Sequence, residues 1–108
     1  MTINIDTKNI SLDDPLRVFV EEKIGGLEKY LKGGTVEAHV EIGKASRHHR
    51  TGFVFFAKAN LKIGGKLLRA HVYHNDLRSA ITEVKDDLQL QIKKFKEKRK
   101  DLARKPKK

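Results

Sequence analysis

Alternation of apolar and polar residues with a period of two predicts four β-strands. The pattern covers residues 2–7, 35–43, 52–63 and 66–74. The glycine pair at positions 64–65 separates the last two segments by the two residues that a tight hairpin turn requires. Strands of this kind bury one face, so the pattern predicts a sheet with one covered face and one open face.

Apolar residues at helical spacing predict a first α-helix over residues 12–31. Ser11 and Asp14 stand before it at the spacing of a capping box. The glycines at 25–26 interrupt its interior, where the helix is expected either to be held by packing or to bend. The glycines at 33–34 are expected to end it.

A second helix is predicted from near Asn75 or Asp76 to about Lys100. Its continuous apolar stripe consists of Leu77, Ile81, Val84, Leu88, Ile92 and Phe95. Residues 101–108 are rich in lysine and arginine, contain a proline, and are expected to form a disordered basic tail. The sequence therefore predicts one domain over residues 1–100 followed by a tail.

The predicted order is strand, helix, strand, strand, strand, helix. A right-handed crossover makes the first two strands parallel, and the short connections make the later pairs antiparallel. Because both helices have one apolar stripe, both are expected on the same face of the sheet. The predicted fold is a two-layer α+β sandwich with a four-stranded mixed sheet, as in double-stranded-RNA-binding domains.

Composition narrows the function classes. The chain of 108 residues fits a single domain and has no cysteine, which excludes disulfides and zinc-thiolate chemistry and suits a reducing cytoplasm. The longest apolar run, residues 53–57, is far shorter than the roughly 20 residues of a membrane span, and the N-terminus has no signal pattern. We expect a cytoplasmic protein without a membrane partner.

The net charge of +10 is unevenly distributed. Residues 42–75 carry seven basic and no acidic side chains, and residues 93–108 carry ten basic and two acidic ones. Residues 1–41 are net negative, with five basic and eight acidic side chains. Segregated positive charge of this kind attracts polyanions by releasing their counterions, which favours nucleic acid as the partner over a merely soluble basic protein.

The second helix has one basic flank and one largely acidic flank when its residues are placed about 100° apart. The basic flank consists of Arg78, Lys85, Gln89, Lys93, Lys96 and Lys100, and the other carries Asp76, Glu83, Asp86, Asp87 and Glu97. Cations about one turn apart can contact successive phosphates, and the acidic flank disfavours the wrong orientation. The alternative is an ordinary solvated helix face with local ion pairs.

A basic loop between the second and third strands is a second candidate for RNA contact. It contains Lys44, Arg47, His48, His49 and Arg50. The alternative is a flexible hairpin tip. Carboxylates are absent from residues 42–75, which removes the usual partners of a metal-binding or catalytic histidine. We therefore predict no catalytic residue, metal, cofactor or small-molecule substrate.

Aromatic residues offer a further route to RNA. Of the seven in the chain, Phe56 and Tyr73 are expected on the open face of the sheet, where bases could stack. Arg69 and His71 are expected on the same face.

Three segments resemble the ribosome hibernation-promoting factors. They are INIDTKNISLDDPLRVFVEEKI near the N-terminus, LEKYL at residues 27–31, and DLRSAITEVKDDLQLQIKKFKEK in the second helix. The resemblance covers residues 1 to about 100 and implies the same βαβββα order. The chain departs from the usual pattern in having Leu77-Arg78 where an aromatic residue is common, and in its glycine pair at 25–26.

The resemblance implies a translation inhibitor of resting or stressed cells. The family domain lies in the mRNA and tRNA channel of the small ribosomal subunit, with basic residues of both helices on ribosomal RNA. Here these residues would be Lys23, Lys29 and Lys32 on the first helix and Arg78, Lys85, Lys93, Lys94 and Lys96 on the second. The chain resembles the short forms, which lack a second, dimerising domain, and is expected to be a monomer when free.

The sequence is also compatible with three other functions. A general binder of double-stranded RNA or DNA would bind naked duplex as well as ribosomes. A protein-interaction module using the open sheet face would bind a protein partner insensitively to salt. An RNA-cleaving enzyme using His48 or His49 would degrade RNA on incubation.

Overall fold

The computed structural model describes the backbone of residues 1–31, 36–45 and 54–104, and the side chains of these ranges as far as Lys98. Its strands are β1 (Thr2–Lys8), β2 (Val36–Lys44), β3 (Phe55–Ile63) and β4 (Lys66–His74). Its helices are α1 (Asp14–Gly25), which continues into a 3₁₀ helix (Gly26–Tyr30), and α2 (Leu77–Arg104).

The four strands form one sheet in the order β1-β2-β3-β4. β1 runs parallel to β2, and the β2–β3 and β3–β4 pairs are antiparallel. Gly64 lies at φ 58°, a conformation that glycine adopts without strain, and forms the hairpin turn with Gly65. The predicted βαβββα order, the mixed sheet and the two-layer α+β fold are confirmed.

A single core joins both helices to one face of the sheet. From the helices it contains Leu16, Val20 and Ile24 of α1, Leu27 of the 3₁₀ helix, and Ala80, Ile81, Val84, Leu88 and Ile92 of α2. Alternate residues of β2, β3 and β4 supply the rest, as their period of two predicts. The placement of both helices on one face is therefore confirmed. Within the described ranges, neither helix combines the length and apolar character that a bilayer crossing requires.

The start and end of the first helix differ from the sequence-based prediction. Asp13, rather than Ser11, is the N-cap, because its Oδ1 accepts a hydrogen bond of 2.9 Å from the backbone N–H of Leu16. The regular α-helix ends at the glycine pair, and a 3₁₀ helix carries the chain to Tyr30. Glycine destabilises a helix interior, which explains why the geometry changes there. The glycines at 33–34 lie outside the described residues.

The second helix is longer than predicted. It continues to Arg104, four residues into the segment expected to be a disordered tail. Residues 101–104 contain no helix breaker, and Pro106 is the first residue whose ring opposes a helical conformation in the residue before it. Residues 105–108 lie outside the described part of the chain.

Gly43 lies where β1 leaves no room for a side chain on β2. A Cβ atom at Gly43 would overlap the backbone carbonyl of Lys8, its partner in the parallel pair. On the other side Gly43 lies opposite Phe56 of β3. This end of the sheet therefore depends on a residue without a side chain.

Candidate nucleic-acid interface

Phe19 of α1 joins the basic residues of the two helices. The Nζ of Lys23, one helical turn further along α1, lies 5.5 Å from the centre of the Phe19 ring. The guanidinium carbon of Arg78, in the first turn of α2, lies 5.0 Å from the same centre. Cations within about 6 Å of an aromatic ring are attracted to its face. One half-buried ring thus positions a cation from each helix.

Tyr30, at the end of the 3₁₀ helix, likewise contacts a basic residue from its own helix and one from α2. The Nζ of Lys29 lies 5.3 Å from the centre of the Tyr30 ring. The Nζ of Lys96 donates a 3.0 Å hydrogen bond to the backbone carbonyl of Tyr30. Lys93 lines the same groove as Tyr30 and Lys96. The C-terminal half of α2 therefore holds its lysines beside the end of the 3₁₀ helix.

We call the resulting surface the helix seam. It consists of Lys23, Lys29, Arg78, Lys85, Lys93 and Lys96. From Arg78 to Lys96 it extends along roughly 27 Å of α2, at 1.5 Å per residue. A strip of this length can contact several phosphates of one RNA strand. The basic flank predicted for α2 is thus met by basic residues of α1 and the 3₁₀ helix.

The separation between the two flanks of α2 is less complete than predicted. The Nζ of Lys85 lies 2.6 Å from Oδ1 of Asp86, which belongs to the acidic flank. The Lys85 side chain is 24% exposed. Lys85 therefore presents less of its charge at the helix seam than the exposed Lys93 does.

The acidic flank lies along β4. Glu83 Oε2 is 3.2 Å from Nε2 of His74, at the end of that strand. Further along, Gln91 Nε2 donates hydrogen bonds to the backbone carbonyl of Arg69 at 2.7 Å and to Asp87 Oδ1 at 3.1 Å. Glu83 and Asp87 thus lie toward β4, whereas Asp86 and Glu97 of the same flank line the groove that contains Tyr30, Lys93 and Lys96.

Asp76 begins this flank and caps α2. Its Oδ2 accepts hydrogen bonds from the hydroxyl of Ser79 at 2.7 Å and from the backbone N–H of Ser79 at 2.9 Å. The hydroxyl hydrogen bond, followed by the backbone one, lowers the pKa of the Asp76 carboxyl below its usual value. The cap is therefore ionised at neutral pH.

Four of the other predicted RNA-binding positions lie away from the helix seam or outside the described structure. Lys94 is exposed about 280° around α2 from Val84, on the acidic flank rather than the basic one. Lys44 is exposed at the end of β2, where its carbonyl accepts a 3.2 Å hydrogen bond from Asn9 Nδ2. Lys32 lies outside the described residues, and of Lys100 the structure describes the helical backbone.

The basic loop lies outside the described residues, since it includes Arg47, His48, His49 and Arg50. Its two ends meet at one end of the sheet, where the backbone N–H of Ala45 donates to the carbonyl of Val54 at 2.7 Å. Among residues 1–31, 36–45 and 54–98, no group of three or more histidine, aspartate or glutamate side chains is placed to hold a metal ion.

Sequence reasoning missed the role of Phe19 and Tyr30. Lys23 follows Phe19 by four residues, which places both on one side of α1, and this spacing was available as a signal. The approach of Arg78 to the same ring depends on how α2 packs on α1, which no local spacing indicates. The aromatic pair on the open face was predicted correctly: Phe56 and Tyr73 lie opposite each other in β3 and β4.

The fold and the helix seam together define a two-layer α+β domain with a cationic surface built from both helices. Residues 3–100 match the model of the family described as Sigma 54 modulation protein / S30EA ribosomal protein. Because this match includes nearly the whole chain, the protein belongs to that family.

Curated relatives agree with this assignment. The chain is 30% identical over 103 residues to a ribosome hibernation promoting factor of Pseudomonas putida, covering 94% of this chain and 93% of that protein. It is 35% identical over 96 residues to a ribosome hibernation promotion factor of Lactococcus lactis, covering 86% of this chain. The chain spans 48% of the Lactococcus protein and 46% of its Deinococcus radiodurans counterpart, about half of each.

Solved structures show the same fold. The N-terminal domain of Thermus thermophilus Protein Y superposes with a TM-score of 0.75 at 28% identity, covering 88% of this chain and 99% of that one. A ribosomal subunit interface protein from Coxiella burnetii superposes with a TM-score of 0.68 at 18% identity, covering 89% of this chain and 98% of that one.

Proposed function

We propose that this protein is a ribosome hibernation factor that binds ribosomal RNA in the mRNA and tRNA channel of the small subunit. The helix seam lies on RNA phosphates, and occupation of the channel blocks translation in resting or stressed cells. The protein acts in the cytoplasm, is a monomer when free, and needs no cofactor.

The convergence of cations from both helices carries this proposal. Ion pairing alone would not gather Lys23 and Arg78 on one ring, or Lys29 and Lys96 around one tyrosine. A surface built from two helices presents cations in two directions, which suits the curved backbone of folded RNA better than a single stripe does. Family membership supports the ribosome as the source of that RNA.

The curated relatives also support a function without chemistry. The proteins from Pseudomonas putida and Lactococcus lactis carry the name of ribosome hibernation factors rather than of enzymes. Binding by shape and charge is sufficient for such a role, because a protein that fills the channel inhibits translation by exclusion.

Co-sedimentation with purified small ribosomal subunits tests the proposal. The protein is titrated against subunits and against a naked RNA duplex over a series of salt concentrations. We expect saturable binding to subunits that exceeds binding to duplex, and an affinity that falls steeply with salt because phosphate contacts release counterions. Equal affinity for subunit and duplex would instead identify a general nucleic-acid binder. Salt-insensitive binding would identify a protein contact.

A translation assay completes the test. Addition of the protein to a cell-free system should inhibit synthesis in proportion to subunit occupancy. If subunits are saturated in the sedimentation assay while synthesis continues at the full rate, the protein binds outside the channel and the proposal is wrong.

A further inference from the structure

The face of the sheet opposite the helices carries a compact aromatic cluster. It consists of Phe56, His71 and Tyr73, and we call it the open-face cluster. The ring centres of Phe56 and Tyr73 are 6.3 Å apart, those of Phe56 and His71 are 6.1 Å apart, and those of His71 and Tyr73 are 4.8 Å apart. Separations of this size are typical of interacting aromatic pairs.

Packing within the cluster leaves one ring buried and another accessible. Phe56 is 6% exposed, although it is not part of the core between the sheet and the helices. It lies opposite Gly43 on one side and opposite Tyr73 on the other. Tyr73 is 43% exposed. The buried ring therefore supports a second ring that is partly exposed.

Charged groups surround this accessible ring. A shallow depression of about 170 Å³ is lined by the cluster together with Lys8, Glu41, Ala45 and Lys58. Lys58 Nζ lies 3.4 Å from Glu41 Oε1 across the β2–β3 pair. The depression thus combines flat aromatic walls with two amines and one carboxylate.

His71 contributes a neutral ring to this surface. Burial, and then the positive charge of Lys58, lower the pKa of His71 below its usual value. The lowered pKa favours the uncharged imidazole at neutral pH, which presents a flat face beside Tyr73. Nearby amines supply positive charge without placing it on the stacking surface itself.

We propose that the open-face cluster binds an unpaired RNA base, which stacks on Tyr73 and His71 while Lys8 and Lys58 contact the adjoining phosphates. Aromatic rings flanked by cations are a general means of binding single-stranded nucleic acid. The site lies on the side of the sheet away from the helix seam. It therefore gives the protein a second RNA contact, whose chemistry is stacking rather than phosphate binding alone.

A protein partner fits this surface less well. Specific protein interfaces bury roughly 1,000 Å² or more around an apolar centre. Beyond the cluster, the open face continues with Asn60 and Arg69 in the neighbouring register pair, and with His39 beside Asn60. Leu67 of β4 is a further exposed apolar side chain on this face, but Arg69 lies between it and the cluster. The continuous apolar area is thus that of the cluster, which is the size of a base rather than of a protein contact.

Tyrosine fluorescence allows a direct test, because the chain contains two tyrosines and no tryptophan. In the variant Tyr30→Phe, the emission comes from Tyr73 alone. This variant is titrated with a single-stranded oligoadenylate and with an abasic ribose-phosphate oligomer of the same length and charge. We expect saturable quenching of Tyr73 by oligoadenylate and none by the abasic oligomer, because stacking requires the base.

Two substitutions separate the ring from its hydroxyl. Tyr73→Leu should weaken oligoadenylate binding about tenfold, since it removes the ring on which the base stacks, whereas Tyr73→Phe should leave it nearly unchanged. Thermal melting of both variants shows whether each remains folded. Unchanged Tyr73 emission at saturating oligoadenylate, or equal affinity of a folded Tyr73→Leu variant and the parent, would overturn the proposal.

This experiment is independent of the ribosome. Quenching by oligoadenylate together with absent subunit binding would support the open-face site and contradict the proposed hibernation function. Subunit binding without quenching of Tyr73 would support the proposed hibernation function and contradict the open-face site.

Discussion

The two faces of this small domain use aromatic residues in opposite ways. On the helix side, Phe19 and Tyr30 are half-buried, and cations cover or adjoin them. On the open side of the sheet, Tyr73 is exposed and the nearby Lys58 is paired with Glu41. The helix seam therefore presents charge supported by rings, whereas the open-face cluster presents rings flanked by charge. The first arrangement suits phosphates and the second suits bases.

Charge reversal in the helix seam should have the largest effect. Replacing Lys85, Lys93 and Lys96 together by glutamate would remove three of the proposed phosphate contacts and add repulsion. We expect the affinity for the small subunit to fall about 100-fold. The slope of log affinity against log salt concentration should also become less steep, by about two to three. Quenching of Tyr73 at saturating oligoadenylate should persist.

A charge-matched control separates the seam from net charge. The variant with Lys62, Lys66 and Arg69 replaced by glutamate changes the net charge equally at exposed positions outside the seam. It should retain most of the affinity for the subunit. If both variants lose affinity equally in co-sedimentation, net charge rather than the helix seam determines binding.

Gly43→Ala should produce the largest loss of stability and should affect the open side first. The added Cβ meets a backbone carbonyl of β1, which cannot rotate away as a side chain would. We expect the free energy of unfolding to fall by about 2 kcal/mol, as overpacked cores do. Denaturation in urea measures this change, and hydrogen exchange should show β1 amides losing protection.

Gly26→Ala is the matched control for this glycine. Gly26 has φ −62° and ψ −17°, which alanine also adopts, and a Cβ there meets nothing within 4 Å. Alanine at this position should stabilise the protein by about 0.5 kcal/mol, because it restricts the unfolded chain. Equal destabilisation by both substitutions would show that the approach of β1 at Gly43 is not the cause.

Asp13→Ala should weaken the helix side alone. The Asp13 carboxylate caps the helix that carries Phe19 and Lys23, and loss of such a cap costs about 1 kcal/mol. Asp14→Ala, which removes the neighbouring acid of the first turn, should cost about 0.3 kcal/mol through the helix dipole alone. Thermal unfolding of the two variants distinguishes these values, and similar losses would argue against Asp13 as the cap.

The fold was predictable because its elements have strong periodicity. The strands and α2 each repeat one pattern over most of their length, and the glycine pair at 64–65 allows a single hairpin register. The wrong N-cap for α1 is explained by competition between neighbouring residues that can all cap a helix. Ser11, Asp13 and Asp14 all have side chains that can cap a helix, and which one does so depends on where the backbone turns. Helix α2 extends beyond its predicted end because the first residue that strongly disfavours a helix is Pro106.

The candidate site was predictable where it lies on one element and not where it joins two. The basic flank of α2 follows from helical spacing, and the Phe56–Tyr73 pair follows from the hairpin register. By contrast, the shared ring of Phe19 depends on interhelical packing. Helical geometry puts Lys94 on the acidic flank of α2, whereas the family resemblance implies that Lys94 contacts RNA.

Phe19→Leu should lower subunit affinity about threefold. Leucine preserves apolar packing but removes the ring face that attracts both Lys23 and Arg78, and an exposed cation–π contact is worth about 0.5–1 kcal/mol. Val18→Ala changes the exposed neighbouring residue and should leave affinity unchanged. Co-sedimentation at one moderate salt concentration measures both. An affinity equal to that of the parent would show that the ring does not position the cations.

The smallest expected effect is the contribution of His71 to the pH dependence of stability. The pKa of His71 in the folded protein is lowered, first by burial and then by Lys58, while Glu41 opposes this shift. The unfolded chain therefore binds more protons than the folded one as the pH falls below about 6.5. The contribution of His71 to stability is fully present above that pH and is lost as the pH falls through the lowered folded pKa.

The variant His71→Asn isolates this effect, because the remaining four histidines are common to both proteins. Between pH 7.5 and pH 5.5, the free energy of unfolding should decrease more in the parent than in the variant. Asp76 does not interfere, since its lowered carboxyl pKa places its titration at more acidic pH. An equal fall in both proteins would mean that His71 is as easily protonated in the fold as in the unfolded chain. The open-face cluster would then carry a positive ring in mildly acidic solution, contrary to the neutral stacking surface proposed for it.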